Sequence, residues 1–141
     1  MSEEYPGAVA LPDSAHTAQE AATAIGVEVG AIVKSLVFLR GERPVLVLCS
    51  GANTVDAGAL GLEKASAKTV REATGQPIGG VAPYGHPAPL ETLVDEDLMT
   101  YDEVWAGAGH PSRVFPIAPV ELLRRTNGTP ARVRVRAPAP E

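Results

Sequence analysis

The chain has 141 residues, of which 45% are hydrophobic and 21% charged, and its formal net charge is −5. These values predict one globular domain over residues 1–141 rather than a disordered chain. The apolar runs are too short to cross a bilayer, and the first residues lack the basic and apolar regions of a signal peptide. We therefore expect a cytoplasmic protein without membrane contact, and the acidic balance argues against DNA binding.

The first half of the chain predicts a helix followed by a hairpin. HTAQEAATAIG has the capping-box spacing at Thr17 and Glu20, with Gly26 placed to end the helix. AIVKSLVFL is apolar on both faces, which predicts an interior strand, and RGERP and VLVLCS complete a hairpin with it. GANTVDAGALG predicts a turn and then a short helix capped at Thr54 or Asp56.

The second half predicts short helices and strands. SAKTVREATG predicts a helix from Ser66 to about Thr74 that ends at Gly75. A short strand, an acidic turn, a strand near 103–108 and the strand SRVFPIA follow. PVELLRRTNG predicts a helix, RVRV an edge strand, and residues 137–141 a flexible tail. The pattern predicts an α/β (α+β) domain without the regular alternation of a Rossmann fold.

The sequence offers few groups for metal or covalent chemistry. Cys49 is the only cysteine, so an internal disulfide and a cysteine-based zinc site are excluded, and its apolar setting predicts a buried structural thiol. The three histidines, His16, His86 and His110, lack helical metal-ligand spacing. We therefore expect no metal site.

Two features single out candidate site residues. Lys34 is a lone charge in an apolar strand, so it either extends to water at the strand's entry or lies at the mouth of a pocket. The stretch GQPIGGVAPYGHP holds four glycines and three prolines. Gly79 and Gly80 allow close approach of a ligand, and their N–H groups suit an anion or a developing oxyanion, although such loops are also ordinary turns.

Polar groups also follow two other strands. AGAGHP places His110 on a turn after Gly109, and Ser50 ends the strand VLVLCS. Both positions suit either a site or a simple exposed turn.

The C-terminal part is basic, with six Arg and two Glu after His110. Arg124, Arg125 and Arg134 are candidates for contact with one part of a tRNA. The alternative is that these arginines only solvate a terminal helix and strand.

Four segments in order resemble the YbaK/ProX family, the free-standing relatives of the editing domain inserted in bacterial prolyl-tRNA synthetases. These segments are VGAIVKSLVF, PVLVLCSGANTVD, KASAKTVREATGQPIGGVAPYGH and LVDEDLMTYDEVWAGAGHPSRVFPIAPVELL, and the resemblance covers residues 11–128. It implies a mixed, strongly curved β-sheet wrapped by short helices. It also implies hydrolysis of the ester that joins a wrong amino acid to tRNA, without metal or organic cofactor. Aminoacyl-tRNA is then the partner, and an aminoacyl-tRNA synthetase is a further candidate.

The resemblance also implies roles for individual residues. The family's strand lysine falls on Lys34, its G-x-x-x-P loop begins at Gly79 and includes Gly80, and its glycine–histidine turn falls on Gly109 and His110. Lys34, Gly79 and Gly80 are then the catalytic candidates, because they would orient the substrate and hold its carbonyl while water attacks. The substrate-binding candidates are Ser50, Val81, Pro83, His86, Gly109 and His110.

Several alternatives stay open at this point. Family members usually carry a helix before the stretch that matches VALPDSAHTA, where this chain has only MSEEYPGA, so either the helix is absent or the start site is misassigned. If the helix is absent, a partner subunit in a homodimer is a candidate to replace it. Ser35, after Lys34, leaves the subfamily open, and with it the amino acid that is edited. A non-catalytic module that binds tRNA ends or a partner protein is the alternative function, and a Schiff base at Lys34 is a third.

Overall fold

A computed structural model of the chain describes residues 5–12, 17–77, 80–110 and 112–135. Within these ranges the chain forms eight β-strands and three α-helices. The strands are β1 (Val9–Ala10), β2 (Ile32–Arg40), β3 (Arg43–Ser50), β4 (Glu63–Lys64), β5 (Glu91–Asp95), β6 (Val104–His110), β7 (Arg113–Ile117) and β8 (Thr129–Ala131). The helices are α1 (Ala18–Ile25), α2 (Ala67–Thr74) and α3 (Pro119–Thr126), with short 3₁₀ helices at Val29–Ala31 and Glu96–Thr100. The tail predicted at 137–141 lies outside the described residues.

The eight strands form one mixed sheet in the order β1-β7-β6-β2-β3-β5-β8, and β4 pairs with β2 outside this path. β2 and β3 form the predicted antiparallel hairpin, while the β2–β6, β3–β5 and β5–β8 pairs are parallel. The prediction of a mixed sheet with short helices is therefore confirmed. No helix in the described part of the chain is long and apolar enough to cross a membrane.

Local capping signals place the helices as predicted. In α1 the Thr17 side chain accepts from the Glu20 N–H, the Glu20 carboxylate accepts from the Thr17 N–H, and Gly26 ends the helix in the left-handed region. In α2 the Ser66 hydroxyl caps the first turn and Gly75 ends the helix. These short-range hydrogen bonds satisfy backbone groups that the helix ends would otherwise leave unpaired.

β3 forms the centre of the core. Leu46 and Leu48 pack on one face of the sheet, and Val45, Val47 and Cys49 pack on the other, all with no exposed surface. The apolar pattern of β2 predicted an interior strand there, but most of β2 is only half-buried. β2 therefore lies inside the order of the sheet, as predicted, but it is only partly covered, and β3 is the more deeply buried strand.

β2 is open because it loses its neighbour on one side. β6 pairs with it only at Ile32 and Val33, and β4 pairs with it only at Phe38 and Leu39. Between these contacts, residues 34–37 have no strand partner on that side within the described ranges. This gap in the sheet positions the site described below.

Two predicted elements are wrong. The segment after β3 forms turns instead of a helix: Asp56 accepts from the Ala59 N–H at 3.2 Å, and Gly61 takes a positive φ of 69° that ends the turn. The last strand lies earlier than RVRV, at β8, because that stretch pairs in parallel with β5. In the RVRV stretch, the backbone of Arg134 forms an isolated β-bridge to Val55 instead of part of a strand.

Candidate active site

A cavity of about 360 Å³ opens along the unpaired edge of β2. Its wall contains Lys34 and Ser35 of β2, Val81 and His110, which ends β6. Val81 belongs to the stretch GQPIGGVAPYGHP, which we call the Gly–Pro-rich loop. β6 shifts register between Gly107 and His110, so its end leaves the line of the sheet. The fold thus brings three regions that are distant in sequence to one cavity.

The cavity is basic although the protein is acidic. Lys34, His110 and Arg113 line it, and none of its described lining residues is Asp or Glu. The chain as a whole has a net charge of −5. A cation-lined cavity on such a protein favours a ligand that carries negative charge. Arg113 had not been assigned to a site from the sequence.

The Lys34 ammonium is held by a backbone oxygen. Its Nζ donates a hydrogen bond to the carbonyl of Asn53, in the turn after β3. The Asn53 side-chain amide donates in turn to Asp95 and Asp97, with both distances 2.8 Å. Lys34 therefore lies at a cavity in a defined position, which agrees with the second of the two alternatives for this residue.

The Gly–Pro-rich loop packs closely against β6. A Cβ added at Gly107 would lie 3.2 Å from the Val81 carbonyl oxygen, so the glycine permits this approach. The Ala82 N–H donates to Oε1 of Gln76 at 2.9 Å, which fixes the loop from its other side. Val81 is thereby placed between β2 and β6, in the gap of the sheet.

Gly80 acts differently from expectation. The Gly80 N–H donates to the Pro77 carbonyl at 2.9 Å, so this donor is used inside the loop instead of being presented to a ligand. Gly79 lies outside the described residues. Among the described residues of this loop, Val81 is the one that lines the cavity.

His110 is held on its turn by Ser112. The Ser112 N–H donates to Nδ1 of His110 at 3.2 Å, and the Ser112 hydroxyl lies 3.0 Å from the same atom. A backbone N–H can only donate, so Nδ1 is the acceptor in this contact and Nε2 is the ring nitrogen left to donate. Gly109 supplies the turn, with a positive φ of 85°.

Ser35 is a site residue that sequence reasoning left without a role. Its hydroxyl is buried and has no hydrogen-bond partner among the described residues. It lines both the 360 Å³ cavity and a smaller, mainly apolar one of about 120 Å³. Leaving a buried hydroxyl unpaired costs about 1–3 kcal/mol. The hydroxyl beside the lone lysine was the only signal in the sequence.

The backbone of Ser35 also faces the gap. The Gly51 N–H donates to the Ile32 carbonyl at 2.7 Å, and this bond establishes which residues of β2 form hydrogen bonds with β3. Alternate residues from Ile32 onward therefore direct their backbone groups to β3, and Ser35 directs its N–H and C=O to the unpaired side.

Two predicted substrate-binding residues lie elsewhere. Pro83 and His86 line a separate groove of about 650 Å³ together with Arg125. Nε2 of His86 donates to the Ala82 carbonyl at 2.7 Å. Burial lowers the pKa of His86, and this hydrogen bond partly opposes the shift. The structure does not bring Pro83 or His86 together with Lys34.

Ser50 and Cys49 are buried next to the site without lining its cavity. The Ser50 hydroxyl donates to the Gly30 carbonyl at 2.7 Å, and its N–H donates to Asp95 at 3.0 Å. Burial is the main cause that raises the pKa of the Cys49 thiol to about 12. In the described part of the chain, no group of three or more His, Cys, Asp or Glu side chains is arranged to hold a metal ion.

The three candidate arginines form ion pairs within the protein. Arg124 and Arg125 both pair with Glu121 on α3, and the Arg125 guanidinium lies 5.4 Å from the centre of the Tyr84 ring. Arg134 instead pairs with two carboxylates of the 3₁₀ helix after β5. Arg134 is thus a neighbour of the Lys34 network, and the α3 arginines are not.

Comparison with known proteins gives a consistent result. The family model of the aminoacyl-tRNA editing domain matches residues 12–125. The chain is 30% identical over 116 residues to the uncharacterized protein YwhH of Bacillus subtilis, covering 77% of this chain and 74% of that protein. It is 28% identical over 120 residues to an Enterococcus faecalis protein named provisionally as a Cys-tRNA(Pro)/Cys-tRNA(Cys) deacylase, EbsC, covering 79% and 73%.

Similarity extends to larger enzymes and to solved structures. The chain is 33% identical over 108 residues to the proline–tRNA ligase of Maridesulfovibrio salexigens, which is 71% of this chain and 18% of the ligase. A crystal structure described provisionally as a trans-editing enzyme for prolyl-tRNA synthetase matches with a TM-score of 0.87 and 47% identity, over 92% of this chain and 86% of that one. The chain therefore belongs to the aminoacyl-tRNA editing domain family, the YbaK/ProX family.

Proposed function

We propose that this protein is a trans-editing hydrolase that cleaves the ester bond of mischarged aminoacyl-tRNA. One observation carries the proposal: Lys34, the Gly–Pro-rich loop and the His110 turn, which are the three family motifs, line one cavity. The proposal takes residues 1–141 as one editing domain. The protein would act in the cytoplasm, where tRNA is charged. Its first candidate substrate is tRNAPro that carries a small wrong amino acid.

The two neighbouring cavities suit the two parts of this substrate. The basic cavity of about 360 Å³ would take the terminal nucleotide, whose phosphate matches the charges of Lys34 and Arg113. The apolar cavity of about 120 Å³ would take the amino acid side chain, and its size favours a small one. Ser35 and Val81 line both cavities, so the scissile ester would lie between these two residues.

The reaction needs no nucleophile from the protein. A water oxygen attacks the ester carbonyl, the bond to the ribose oxygen breaks, and the water's proton goes to that oxygen, which leaves free amino acid and tRNA. The charge that develops on the carbonyl oxygen needs hydrogen-bond donors. The Lys34 ammonium, the Ser35 backbone N–H and Nε2–H of His110 are the candidates. Cys49 is excluded as a nucleophile near neutral pH, because its thiol is buried with a pKa of about 12.

A deacylation assay tests the proposal. The purified protein would be incubated with Ala, Cys, Ser and Thr on tRNAPro, and with Ser and Gly on tRNAAla, beside the correctly charged tRNAs. We expect cleavage of one or two mischarged members and none of the correct pairs. Tight binding of these tRNAs with no cleavage would instead indicate the non-catalytic binding module, and would contradict the proposed hydrolase.

A further inference from the structure

A chain of polar contacts runs from the C-terminal segment to Lys34. Nη1 of Arg134 lies 3.2 Å from Oδ1 of Asp97. Oδ2 of the same carboxylate accepts from the Asn53 side chain at 2.8 Å. The Asn53 carbonyl accepts from Nζ of Lys34. Asp97 and Asn53 are therefore the two residues that link Arg134 to the Lys34 ammonium.

Two carboxylates fix the side chain of Asn53. An amide nitrogen carries two hydrogens, and in Asn53 these are used on Asp95 and Asp97. The C-terminal segment also pins the backbone of this turn: the Asp56 N–H donates to the Val133 carbonyl at 2.7 Å, and the Val135 N–H donates to the Thr54 carbonyl at 2.9 Å. The orientation of the Asn53 carbonyl thus depends on the chain end.

Charge explains why an arginine is needed here. Three consecutive carboxylates, Asp95, Glu96 and Asp97, meet at this point, and like charges in close proximity repel. A single Arg134 nitrogen, Nη1, lies 3.2 Å from both Glu96 and Asp97. The Arg134 side chain is 29% exposed and the Asp97 side chain 40%, so this is a half-exposed pair that solvent screens in part. Its charge offsets the repulsion and keeps Asp97 in place to accept from Asn53.

We infer that Arg134 is a positioning residue, which orients the Lys34 ammonium through Asp97 and Asn53. The inference rests on the proposed function only in giving Lys34 a role at the substrate. It differs from the expectation that Arg134 contacts tRNA, because its loss should slow ester cleavage without weakening tRNA binding.

The first test separates these two roles of Arg134. Single-turnover hydrolysis and the tRNA dissociation constant would be measured for Arg134→Gln across several salt concentrations. We expect a hydrolysis rate about 10-fold lower, within the range for coupled neighbouring residues, and an unchanged Kd with an unchanged salt slope. Arg40→Gln is the matched control, because it breaks an exposed ion pair with Glu91 far from Lys34 in the hairpin. That variant should keep the wild-type rate.

The second test does not depend on activity. Reductive methylation, followed by mass spectrometry, would measure the reactivity of the Lys34 amine, with the other two lysines, Lys64 and Lys68, as internal references. We expect Arg134→Gln to raise the Lys34 rate several-fold relative to these references. Arg134→Lys should restore the wild-type value, because one nitrogen makes both carboxylate contacts and an ammonium can replace it.

Each outcome decides between the claims. An unchanged Lys34 labelling rate in Arg134→Gln would overturn the inference, and so would weaker tRNA binding with a flatter salt dependence and an unchanged cleavage rate. If Lys34 is labelled faster in Arg134→Gln but the wild type cleaves no member of the tRNA panel, the positioning role is supported and the proposed hydrolase is contradicted. Wild-type cleavage with no effect of Arg134→Gln would contradict the positioning role alone.

Discussion

Gln76 and Gly109 lie against each other, and this contact joins the two loops of the candidate site. A Cβ added at Gly109 would come 2.6 Å from Nε2 of Gln76. Oε1 of the same amide accepts from the Ala82 N–H at 2.9 Å. One side chain therefore sets the distance between the Gly–Pro-rich loop and the turn that presents His110.

Gly109→Ala should disturb both loops. The substitution adds strain of roughly 1–2 kcal/mol at a positive φ, and the new methyl group displaces Gln76. We expect a lower free energy of unfolding in urea and a clear loss of hydrolysis. Gly41→Ala is the matched control, because Gly41 also has a positive φ, 63°, but no atom within 4 Å of the added Cβ. Equal hydrolysis by the two variants would contradict the coupling of the loops through Gln76.

Ser35→Ala should affect stability and activity in opposite directions. Removing an unpaired buried hydroxyl should leave the free energy of unfolding unchanged or raise it by about 1 kcal/mol, while we expect ester cleavage to fall because the hydroxyl, beside the proposed position of the ester, would be available to bind it. Ser50→Ala removes a buried hydroxyl that does have a partner, Gly30, and should destabilise the fold by about 1–2 kcal/mol. A Ser35→Ala variant that loses stability and keeps full activity would show that Ser35 is structural.

Cys49 should resist alkylation in the native protein. Its thiol is fully buried, and burial raises its pKa to about 12. The thiolate is the reactive form, so modification near pH 8 requires unfolding. Iodoacetamide labelling, followed by mass spectrometry, should therefore be slow in buffer and fast in denaturing urea. Rapid labelling in buffer would contradict the burial of this strand.

His86 should make stability depend on pH in the acidic range. Burial lowers its pKa below the ordinary 6.5, so the unfolded chain binds this proton more readily than the folded one. The contribution to stability is complete above 6.5 and is lost as pH falls through the folded pKa. Thermal unfolding between about pH 5 and 7.5 should show a smaller decrease in Tm for His86→Gln than for the wild type. The same decrease in both proteins would assign the effect to other groups.

Sequence patterns predicted those features of the fold that depend on neighbouring residues. The Thr17–Glu20 capping box, the β2–β3 hairpin and the end of α2 at Gly75 all rest on short-range hydrogen bonds or turn chemistry. Lys34 was recognisable because a charge in an apolar strand needs a polar setting. The helix after β3 was predicted wrongly, because the glycines there favour turns.

The shape of the site could not be predicted in the same way. The cavity exists because β6 and β4 each cover only part of β2, and the register of such long-range pairs does not follow from local sequence. The hydrogen bond from Lys34 to the Asn53 carbonyl and the unpaired hydroxyl of Ser35 also depend on tertiary contacts, so they could not be predicted from local sequence. Ser50 and His86 were candidates by residue type, and only the tertiary structure separates them from the cavity wall.

The role of Lys34 is the central claim, and single-turnover hydrolysis by Lys34→Ala tests it most directly. The substrate would be the mischarged tRNA that the wild type cleaves best, and Lys68→Ala, at an exposed position on α2 outside both cavities, is the control for loss of a lysine. Circular dichroism and Tm would establish that both variants are folded. We predict a loss of at least about 100-fold for Lys34→Ala, as for removal of a key electrostatic group, and wild-type rates for Lys68→Ala. A folded Lys34→Ala variant that hydrolyses the substrate at the wild-type rate would contradict the account.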